Sequence, residues 1–551
     1  MAVSVVNTKM NYEEVYGTFK LEVGEYYNFA EDVVDKWAQD PNKLAMLWVD
    51  DEGHEVKKTF KEISENSQRF ANAMHALGIT QDDVIILILP RYSEWWEVFV
   101  GAIRMGAVIS PGTTQLTAKD LAYRVNASNA SAFITDANIA AKFDEVSDQC
   151  PTVRAKLIVG SEREGWLNFT KTIQSSSPSF DSVHTRSDAT AVLYFTSGTV
   201  GYPKMAVHNH SYPHGHTVTG KYWLDLGPDD LHWNVSDTGW AKAAWSSIFG
   251  PWNQGAAVFV HHTSRFDTKK TLEFLEKYPI TTLCGAPTNY RMLVLEDLKK
   301  YKYPTLRHCV GAGEPLNPEV IKIWKDATGI TIRDGYGQTE TVLLLGSFPF
   351  IEAKYGSMGK PTPGFIVKII DETGDILPPN KEGDVAVLVK PKRPIGLFTE
   401  YHGDPVRTAS VYRGEWYLTG DRAYMDEDGY YWFVGRSDDV ILTSGYRIGP
   451  FEVESALLEH PSVAESAVVS SPDDLRGEVV KAFIILKTSF EASEELLKDI
   501  QEYVKKATAP YKYPRLIEFV ETLPKTVSGK IRRVELRDKE WASYKRSSAE
   551  M

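Results

Sequence analysis

The spacing of apolar residues alternates along much of the chain between a helical period and short strand-length runs. Residues 59–78 carry apolar side chains three and four positions apart and end in glycine, which predicts a helix. Residues 82–90 form an apolar run of strand length, and residues 93–112 predict a helix that leads into another strand. This alternation is typical of a largely parallel sheet covered by helices. Within it, Trp95 and Trp96 are expected to be core residues.

The pattern changes after Gly356 and again near residue 438. Residues 358–391 resemble short strands separated by turns rich in Gly, Pro and Asp, which predicts a small β-barrel or meander. From Ile448 onward, helical and strand-length segments alternate, which predicts a compact terminal domain. The helical segments are 453–460 and 494–507, and the strand segments are 464–471 and 479–487.

Composition restricts the functional class. A chain of 551 residues is too long for one hydrophobic core, and 43% hydrophobic with 25% charged residues is an ordinary globular balance. The net charge of -13 argues against nucleic acid or an anionic membrane as a partner, so an anionic ligand needs locally placed cations. The cysteines, Cys150, Cys284 and Cys309, form no CxxC pair, which excludes a disulfide framework and fits a reducing compartment.

The chain shows no targeting signal. Its first 19 residues lack the basic and apolar regions of a signal peptide and contain acidic residues but no arginine. The longest aliphatic run, 84–90, is too short to cross a membrane, and the C-terminal SSAEM is not a peroxisomal address. We therefore predict a cytoplasmic protein without stable membrane insertion.

Hydroxyls, glycines and one lysine are concentrated in residues 194–205, YFTSGTVGYPKM. The β-rich run 189–195 places Thr196 at the carboxyl end of a strand, where open α/β sheets bind ligands. Glycine lets backbone N–H groups approach an anion, hydroxyls add donors, and Lys204 adds a positive charge. Because Pro203 interrupts the spacing of a Walker A motif, the segment predicts a phosphate loop of another kind. A flexible surface turn is the alternative.

Several motifs occur in the order found in one enzyme superfamily. They are TSGTVGYPK (196–204), YGQTE (336–340), YLTGD (417–421), GRSDDVI (435–441), SGYRIGPFEVE (444–454) and PKTVSGK (524–530). On these motifs the chain resembles, over nearly its whole length, the adenylate-forming superfamily of acyl-CoA synthetases, luciferases and peptide-synthetase adenylation domains. RPIGLF, SGYRIGP and SSPDDLRGEVVKAF are most similar to the medium-chain acyl-CoA synthetase branch. Val200 and Tyr202 depart from the Ser and Leu that are more usual in that branch.

The resemblance implies an α/β fold in two domains. Residues 1–437 would form a large N-terminal domain of two doubly wound α/β subdomains plus a small β-barrel. Residues 438–551 would form a smaller, mobile C-terminal α+β domain that carries the catalytic lysine and rotates about a hinge at Asp438.

The implied reaction is ATP-dependent ligation of a carboxylic acid to coenzyme A. A carboxylate is a poor electrophile, so it first attacks the α-phosphate of ATP, which forms an acyl adenylate and releases pyrophosphate. The thiol of coenzyme A then displaces AMP. Both steps need negative charge to be neutralised rather than a side-chain nucleophile. The implied cofactors are ATP, Mg²⁺ and coenzyme A, and the implied substrate is a medium-chain or aromatic acid.

The resemblance also assigns a nucleotide site. The loop 196–204 would hold the β- and γ-phosphates, Thr339 would contact the α-phosphate, and Glu340 would ligate Mg²⁺, which prefers carboxylate and phosphate oxygens. Asp421 suits the ribose hydroxyls, although turn capping is a common role for such a carboxylate, and Arg436 would reach the ribose and phosphates. Residues 313–315 together with Tyr336 resemble the adenine-flanking segment. The full predicted ATP-binding set is Thr196, Ser197, Gly198, Thr199, Val200, Gly201, Lys204, Gly313, Glu314, Pro315, Tyr336, Gly337, Gln338, Asp421 and Arg436.

Lys530 is the predicted catalytic residue of adenylation, beside Glu340 and Thr339. It lies in the glycine-containing turn SGK, from which its ammonium could reach between the carboxylate and the α-phosphate. A solvated surface lysine is the alternative, and this is the expectation for its neighbour Lys525.

Rotation of the C-terminal domain would then bring a second motif to the same carbon. Gly445 would leave room for pantetheine, and Arg447 could meet the phosphates of coenzyme A. The predicted CoA-binding set is Ser444, Gly445, Tyr446 and Arg447.

The acyl pocket is assigned to Trp240, which matches an aromatic segment that shapes the acid site in this branch, with Gly311 and Leu343 as further candidates. A large indole would favour short, medium or aromatic acids over long chains. A core position for Trp240 is the alternative.

Four histidines in HNHSYPHGH suggest a metal site, but the pattern does not support one. They are His208, His210, His214 and His216. Pro213 and Gly215 interrupt a regular helix, and no acidic residue lies in the stretch, so no transition-metal site is predicted there. The metal ligand that the resemblance implies is Glu340.

The same motifs are compatible with other functions. An adenylating enzyme could load a carrier-protein thiol, although no carrier domain adjoins. Luciferase-like oxygenation would need a special substrate. A catalytically inactive scaffold is disfavoured because Thr196, Glu340, Asp421, Arg436 and Lys530 are all present. The oligomeric state stays open.

Overall fold

The computed structural model describes residues 10–196, 203–436, 439–443, 446–473, 476–508, 511–525 and 531–549, with only the backbone at 446–447 and 545–549. The described strands, numbered in chain order, are β1 (Leu44–Asp50), β2 (Glu55–Thr59), β3 (Val84–Ile88), β4 (Val108–Pro111), β5 (Ala132–Thr135), β6 (Ala155–Ile158), β7 (Leu167–Asn168), β8 (Thr190–Thr196), β9 (Lys204–Asn209), β10 (Leu231–Asn234), β11 (Ala257–His262), β12 (Thr282–Gly285), β13 (His308–Ala312), β14 (Ile332–Tyr336), β15 (Leu345–Gly346), β16 (Lys360–Pro361), β17 (Val367–Ile370), β18 (Gly383–Leu388), β19 (Glu400–Tyr401), β20 (Tyr412–Arg413), β21 (Trp416–Met425), β22 (Tyr431–Arg436), β23 (Ile441–Thr443), β24 (Tyr446–Ile448), β25 (Val463–Asp473), β26 (Gly477–Leu486) and β27 (Leu516–Phe519).

The α-helices within the same ranges surround these strands. They are α1 (Tyr12–Thr18), α2 (Phe60–Ala76), α3 (Glu94–Arg104), α4 (Ala118–Ser128), α5 (Ala137–Asp144), α6 (Phe169–Gln174), α7 (Tyr212–Gly215), α8 (Ala241–Ala243), α9 (Phe249–Asn253), α10 (Thr268–Lys277), α11 (Pro287–Leu293), α12 (Pro318–Thr328), α13 (Pro405–Ser410), α14 (Pro450–Glu459), α15 (Glu494–Ala507) and α16 (Arg533–Ala549). Short π-helical segments span Ala30–Asp35, Thr219–Trp223 and Ala244–Ile248, and 3-10 turns span Ser147–Gln149 and Leu298–Lys300.

Two large, mostly parallel sheets dominate the described part of the chain. One has eight strands in the order β19-β9-β8-β4-β3-β5-β6-β7, and only the pairs that include β9 are antiparallel. The other has nine strands in the order β16-β15-β14-β13-β12-β10-β11-β1-β2, parallel from β14 to β1. The predicted parallel α/β architecture is therefore confirmed.

Local sequence explains the first helices. Thr59 caps α2 in a capping box with Glu62, which satisfies backbone donors that the first turn leaves free. In α3, Trp95 and Trp96 are both buried, as predicted, in the largest apolar cluster, which joins residues of both large sheets. Burial of these indoles contributes stability because each removes a large apolar area from water.

The segment after Gly356 forms a smaller antiparallel sheet, as its turn-rich pattern predicted. Its order among the described strands is β17-β18-β21-β20, with β22 paired to β21. This sheet continues beyond the predicted segment to Arg436, and it brings Asp421 on β21 opposite Arg436 on β22.

The C-terminal segments form the predicted α+β unit. Strand β25 pairs with β26 in antiparallel fashion, β27 joins β26 in parallel, and α14 and α15 cover an apolar cluster of their own. The division between residues 437 and 438 and the hinge at Asp438 lie outside the described residues and stay predictions. In the part of the chain that the structure describes, no helix is long and apolar enough to cross a membrane.

Candidate active site

The phosphate-loop segment connects two adjacent strands. Thr196 ends β8 and lies opposite Lys204, which begins β9. The remaining predicted loop residues fall outside the described ranges; they are Ser197, Gly198, Thr199, Val200 and Gly201. The Lys204 ammonium lies 4.9 Å from the centroid of the Tyr401 ring. Burial lowers the pKa of Lys204, and the nearby Glu340 carboxylate opposes that change.

Glu340 follows β14 and is held by residues from a distant part of the chain. Its Oε1 accepts a hydrogen bond from the Tyr401 hydroxyl at 2.7 Å, and its backbone oxygen accepts one from Phe398 N at 2.7 Å. The carbonyl of Thr339 accepts a bond from His208 Nε2 at 2.8 Å. Burial, followed by the Glu340 charge, raises the pKa of Tyr401, so this phenol keeps its proton. The structure therefore brings Lys204 and Glu340 to one side chain, Tyr401.

Asp421 is the centre of a second cluster. Its Oδ2 accepts hydrogen bonds from the Tyr336 hydroxyl at 2.5 Å and from Gln338 Nε2 at 3.0 Å. The Arg436 Nε lies 3.4 Å from Asp421 Oδ1, and the Arg436 side chain is 46% exposed. Burial and then Asp421 raise the pKa of Tyr336. The buried carboxylate is thus oriented by donors from two sheets, while Arg436 can still reach a ligand.

Gly337 lies between Tyr336 and Gln338, the two residues that donate to Asp421 Oδ2, and tolerates no side chain. A Cβ there would lie 2.3 Å from the Trp245 indole and 2.6 Å from the Val342 carbonyl oxygen. Only glycine lets the YGQTE segment pass this closely, so that Gln338 faces Asp421 while Glu340 faces Tyr401.

The predicted adenine-flanking segment follows β13. Gly313 has φ +107, a conformation that favours glycine. The Glu314 side chain is held by two hydrogen bonds. Its Oε2 accepts one from Arg291 Nη2 at 2.9 Å, and its Oε1 accepts one from Thr288 Oγ1 at 3.0 Å. The carboxylate of Glu314 therefore anchors this loop, and the place of Gly313, Glu314 and Pro315 beside adenine stays a prediction.

The predicted mobile residues are described only in part. Lys530, Ser444 and Gly445 lie outside the described ranges. Tyr446 and Arg447 belong to β24, where Arg447 is opposite Leu442 of β23, and their side chains are not described.

Comparisons with known proteins identify the family of this chain. The sequence model described as "AMP-binding enzyme" matches residues 33–390, and the one described as "AMP-binding enzyme C-terminal domain" matches residues 452–530. The chain belongs to the AMP-binding enzyme family.

Relatives of this AMP-binding enzyme extend over almost all of its length. It is 55% identical over 544 residues to acyl-coenzyme A synthetase ACSM3, mitochondrial, of Rattus norvegicus, covering 97% of this chain and 94% of the relative. It is 51% identical over 526 residues to acyl-coenzyme A synthetase ACSM4, mitochondrial, of Homo sapiens, covering 94% of this chain and 91% of the relative. The family and the medium-chain acyl-CoA synthetase branch predicted from the motifs are confirmed.

Solved structures give the same result. The anthranilate CoA ligase AuaEII in complex with anthranoyl-AMP superposes with a TM-score of 0.88 at 29% identity, covering 95% of this chain and 99% of that one. A benzoate CoA ligase from Burkholderia xenovorans LB400 has a TM-score of 0.81 at 28% identity, covering 93% of this chain and 100% of that one. The AMP-binding enzyme is an AMP-forming acid–CoA ligase that works through an acyl adenylate with ATP, Mg²⁺ and coenzyme A.

The region of the predicted acyl pocket contains a lysine that sequence analysis did not select. The Lys242 ammonium donates to the carbonyl oxygens of Gly285 at 2.9 Å and Ala312 at 2.8 Å, and so joins the ends of β12 and β13. Trp240, two residues earlier, is half-buried, and Gly311 precedes Ala312 on β13. Lys242 therefore connects the segment after Trp240 to the end of the strand that carries Gly311, and the pocket roles of Trp240 and Gly311 stay predictions.

Leu343, the third pocket candidate, lies in the core. It is fully buried, and its Cδ2 would be 3.2 Å from a Cβ placed on Gly346. Its pocket role stays a prediction.

Two of the four histidines, His208 and His216, pack against the same ring, that of Tyr212, at centroid distances of 3.8 and 4.7 Å. His208 contacts Thr339, His216 Nδ1 lies 3.2 Å from Thr219 Oγ1, and His214 Nε2 donates to the Glu22 carbonyl oxygen. Burial lowers the pKa of His208 to about 3 and that of His210 to about 4, so both rings are neutral. Of the residues with described positions, the group spaced for a metal ion is instead Asp50, Glu52 and His54, on the exposed β1–β2 turn.

Asp334 on β14 supplies a test of the pH dependence of stability. Burial raises its pKa to about 8, although the Gly335 N–H, which donates to Oδ1 at 2.8 Å, and the charge of Lys242 favour the anion. Because the folded pKa exceeds the ordinary aspartate value of 3.8, the native state keeps a proton that the unfolded chain loses. The resulting stabilisation is complete below the unfolded pKa and is lost as pH rises through about 8.

We expect Asp334→Asn to reduce the fall in Tm between about pH 4 and about pH 8, the interval between the unfolded and folded pKa values, since the amide cannot ionise. Thermal unfolding at several pH values measures the slope. Asp326→Asn, on the exposed face of α12, is the matched control and should keep the wild-type slope. An unchanged slope in Asp334→Asn would show that Asp334 does not titrate in this range.

Proposed function

We propose that this ligase activates a medium-chain or aromatic carboxylic acid, and that the residues assembled around Glu340 and Asp421 carry out the adenylation. The observation that carries the proposal is the presence of two cation–carboxylate pairs near one another. Lys204 of β9 lies near Glu340, which follows β14 of the other large sheet, and Arg436 lies beside Asp421 on a neighbouring strand of the small sheet. The similarity to the anthranilate and benzoate ligases favours an aromatic acid among the alternatives.

The nucleotide would be held by both clusters. Thr196 and Lys204, with the loop between them, would bind the β- and γ-phosphates, and Thr339 would donate to the α-phosphate. Asp421 would accept from the ribose hydroxyls, a role suited to a carboxylate that is 4% exposed and already oriented by Tyr336 and Gln338. Arg436 would reach the ribose and phosphates.

Glu340 fits a Mg²⁺ ligand. It is a buried carboxylate, and among its contacts within the described ranges the Tyr401 hydroxyl uses Oε1, which leaves Oε2 for a hard cation. Mg²⁺ bound there would neutralise phosphate charge and orient the triphosphate. The protein's contribution is to hold the carboxylate in a position shielded from water and fixed before the nucleotide arrives.

The second half-reaction would use the C-terminal domain. Lys530 would neutralise charge during adenylation, and rotation about Asp438 would replace it with the segment 444–447. Gly445 would line the pantetheine tunnel, and Arg447 would meet the phosphates of coenzyme A.

The proposal is tested by measuring each half-reaction over a panel of carboxylic acids. Acid-dependent exchange of pyrophosphate into ATP reports adenylation, and CoA-dependent release of AMP reports ligation. We expect medium-chain or aromatic acids to give the highest kcat/KM. Exchange without CoA-stimulated AMP release would indicate transfer to a carrier-protein thiol instead, and preference for long-chain acids would contradict the proposed substrate class.

Trp240→Ala is expected to shift acid preference toward longer chains. If the indole ends the pocket, each methylene newly buried should raise kcat/KM about fourfold, the equivalent of about 0.8 kcal/mol. Profiles of kcat/KM against chain length measure the shift. Trp432→Ala, at a half-buried indole on β22, is the control and should keep the wild-type profile. A wild-type dependence of kcat/KM on chain length in Trp240→Ala would mean that the Trp240 indole is a core residue without a pocket role.

The cytoplasmic location is also a proposal. The free, buried cysteines are compatible with a reducing compartment, whereas the named rat and human relatives are described as mitochondrial. Cell fractionation distinguishes the two, and recovery with matrix markers would contradict a cytoplasmic location.

A further inference from the structure

Tyr401 links the two charged groups of the proposed phosphate and metal site. It is 3% exposed and ends β19, a two-residue strand that pairs with β9 so that Tyr401 lies opposite Ala206. Its hydroxyl donates to Glu340 Oε1 at 2.7 Å, and its ring faces the Lys204 ammonium at 4.9 Å. One side chain therefore contacts both the carboxylate and the cation.

The backbone around Tyr401 is fixed on both sides. Phe398 N donates to the Glu340 carbonyl oxygen at 2.7 Å, and His402 N donates to the Met205 carbonyl oxygen at 2.8 Å. The first bond joins this segment to the loop after β14, and the second joins it to β9 next to Lys204. Tyr401 thus stands on a rigid connection between the two sheets that carry Glu340 and Lys204.

The chemistry of a phenol suits this position. A tyrosine hydroxyl has one proton to donate, so it occupies one carboxylate oxygen and orients the other. Being neutral, it does not oppose a divalent cation, whereas a lysine paired directly with Glu340 would compete with that cation. The aromatic face attracts the Lys204 ammonium without removing its charge, which leaves that charge for phosphate.

We propose that Tyr401 is a positioning residue for adenylation, which orients the Glu340 carboxylate toward Mg²⁺ and places the Lys204 ammonium beside it. This inference rests on the proposed role of Glu340 as a metal ligand. Hydrogen-bond partners of metal ligands commonly change metal affinity when they are removed, even though they do not touch the metal.

The decisive variant is Tyr401→Phe, which keeps the ring and removes only the hydroxyl. We expect it to bind Mn²⁺ about 10- to 100-fold more weakly in the presence of a non-hydrolysable ATP analogue, measured by electron paramagnetic resonance. In steady-state assays the Mg²⁺ concentration for half-maximal rate should rise, while kcat at saturating Mg²⁺ stays near wild type. A general structural defect would instead lower kcat at every Mg²⁺ concentration.

Tyr412→Phe is the matched control. Its hydroxyl accepts a hydrogen bond from Arg393 Nη2 at 2.6 Å and is not in contact with Glu340, so Mn²⁺ affinity should stay at the wild-type value. Tyr401→Leu removes the ring as well and should additionally raise KM for ATP. If Tyr401→Phe does not fold, Glu340→Asp is the second variant. Its side chain is one methylene shorter, which withdraws the carboxylate from the Tyr401 hydroxyl, and it should weaken Mn²⁺ binding to a similar degree.

Glu340→Gln separates this inference from the proposed function. If Glu340→Gln loses Mn²⁺ affinity and Tyr401→Phe does not, Tyr401 has no positioning role and the proposed metal ligand stands. If Glu340→Gln binds Mn²⁺ like wild type, the metal assignment itself is wrong. If both lose affinity, the double variant should be no weaker than Glu340→Gln alone; further weakening would mean that Tyr401 acts through another group and would overturn the inference.

Discussion

Lys530→Ala is expected to lower the rate of adenylate formation by about 10²- to 10³-fold while thioester formation from supplied acyl adenylate continues at the wild-type rate. The reason is that the attacking carboxylate and the α-phosphate are both negative, and a positioned ammonium neutralises the charge that they share in the transition state. Once the adenylate exists, that ammonium has no remaining task. Single-turnover assays of the two half-reactions measure the split.

Lys525→Ala provides the comparison for this variant. Lys525 lies in the same C-terminal segment, but its ammonium is 2.9 Å from Glu465 of its own domain. Both half-reactions should therefore proceed normally in Lys525→Ala. Equal losses in both half-reactions of Lys530→Ala would contradict the proposed division of labour, because they would indicate a role in folding or in domain rotation.

Gly445→Leu is expected to have the opposite phenotype. Adenylation should keep the wild-type rate, since Gly445 is assigned to the second orientation of the C-terminal domain, whereas thioester formation should fall by at least about 10²-fold because an isobutyl group would fill the pantetheine tunnel. The exchange of pyrophosphate into ATP and the release of AMP on addition of coenzyme A measure the two steps separately.

A graded variant tests whether steric exclusion is the cause. Gly445→Ala adds a single methyl group and should produce an intermediate loss, expressed mainly as a higher KM for coenzyme A. Wild-type CoA turnover in Gly445→Leu would refute the tunnel assignment. A loss of adenylation in either variant would show that this glycine supports the fold or the first orientation of the domain.

Much of this protein was predictable from local sequence. The helix within residues 59–78 was found because its apolar period and its Thr59 cap are properties of neighbouring residues. The parallel α/β class followed from the alternation of helical and strand-length segments, and the family followed from motif spacing. Gly337 belongs to the same category. The YGQTE motif identifies it from sequence alone, and the structure adds the reason, which is its close approach to Trp245.

Tertiary structure alone decided which side chains serve these motifs. Tyr401 contacts Glu340 across 61 positions, Gln338 contacts Asp421 across 83, and Lys242 joins Gly285 to Ala312. A strand-length run at 398–401 could have indicated the edge strand β19, but nothing in that run predicts that β19 pairs with β9. Periodicity reports which face of an element is buried, whereas these contacts depend on the order of strands in the sheets, and that order is set by packing over the whole chain.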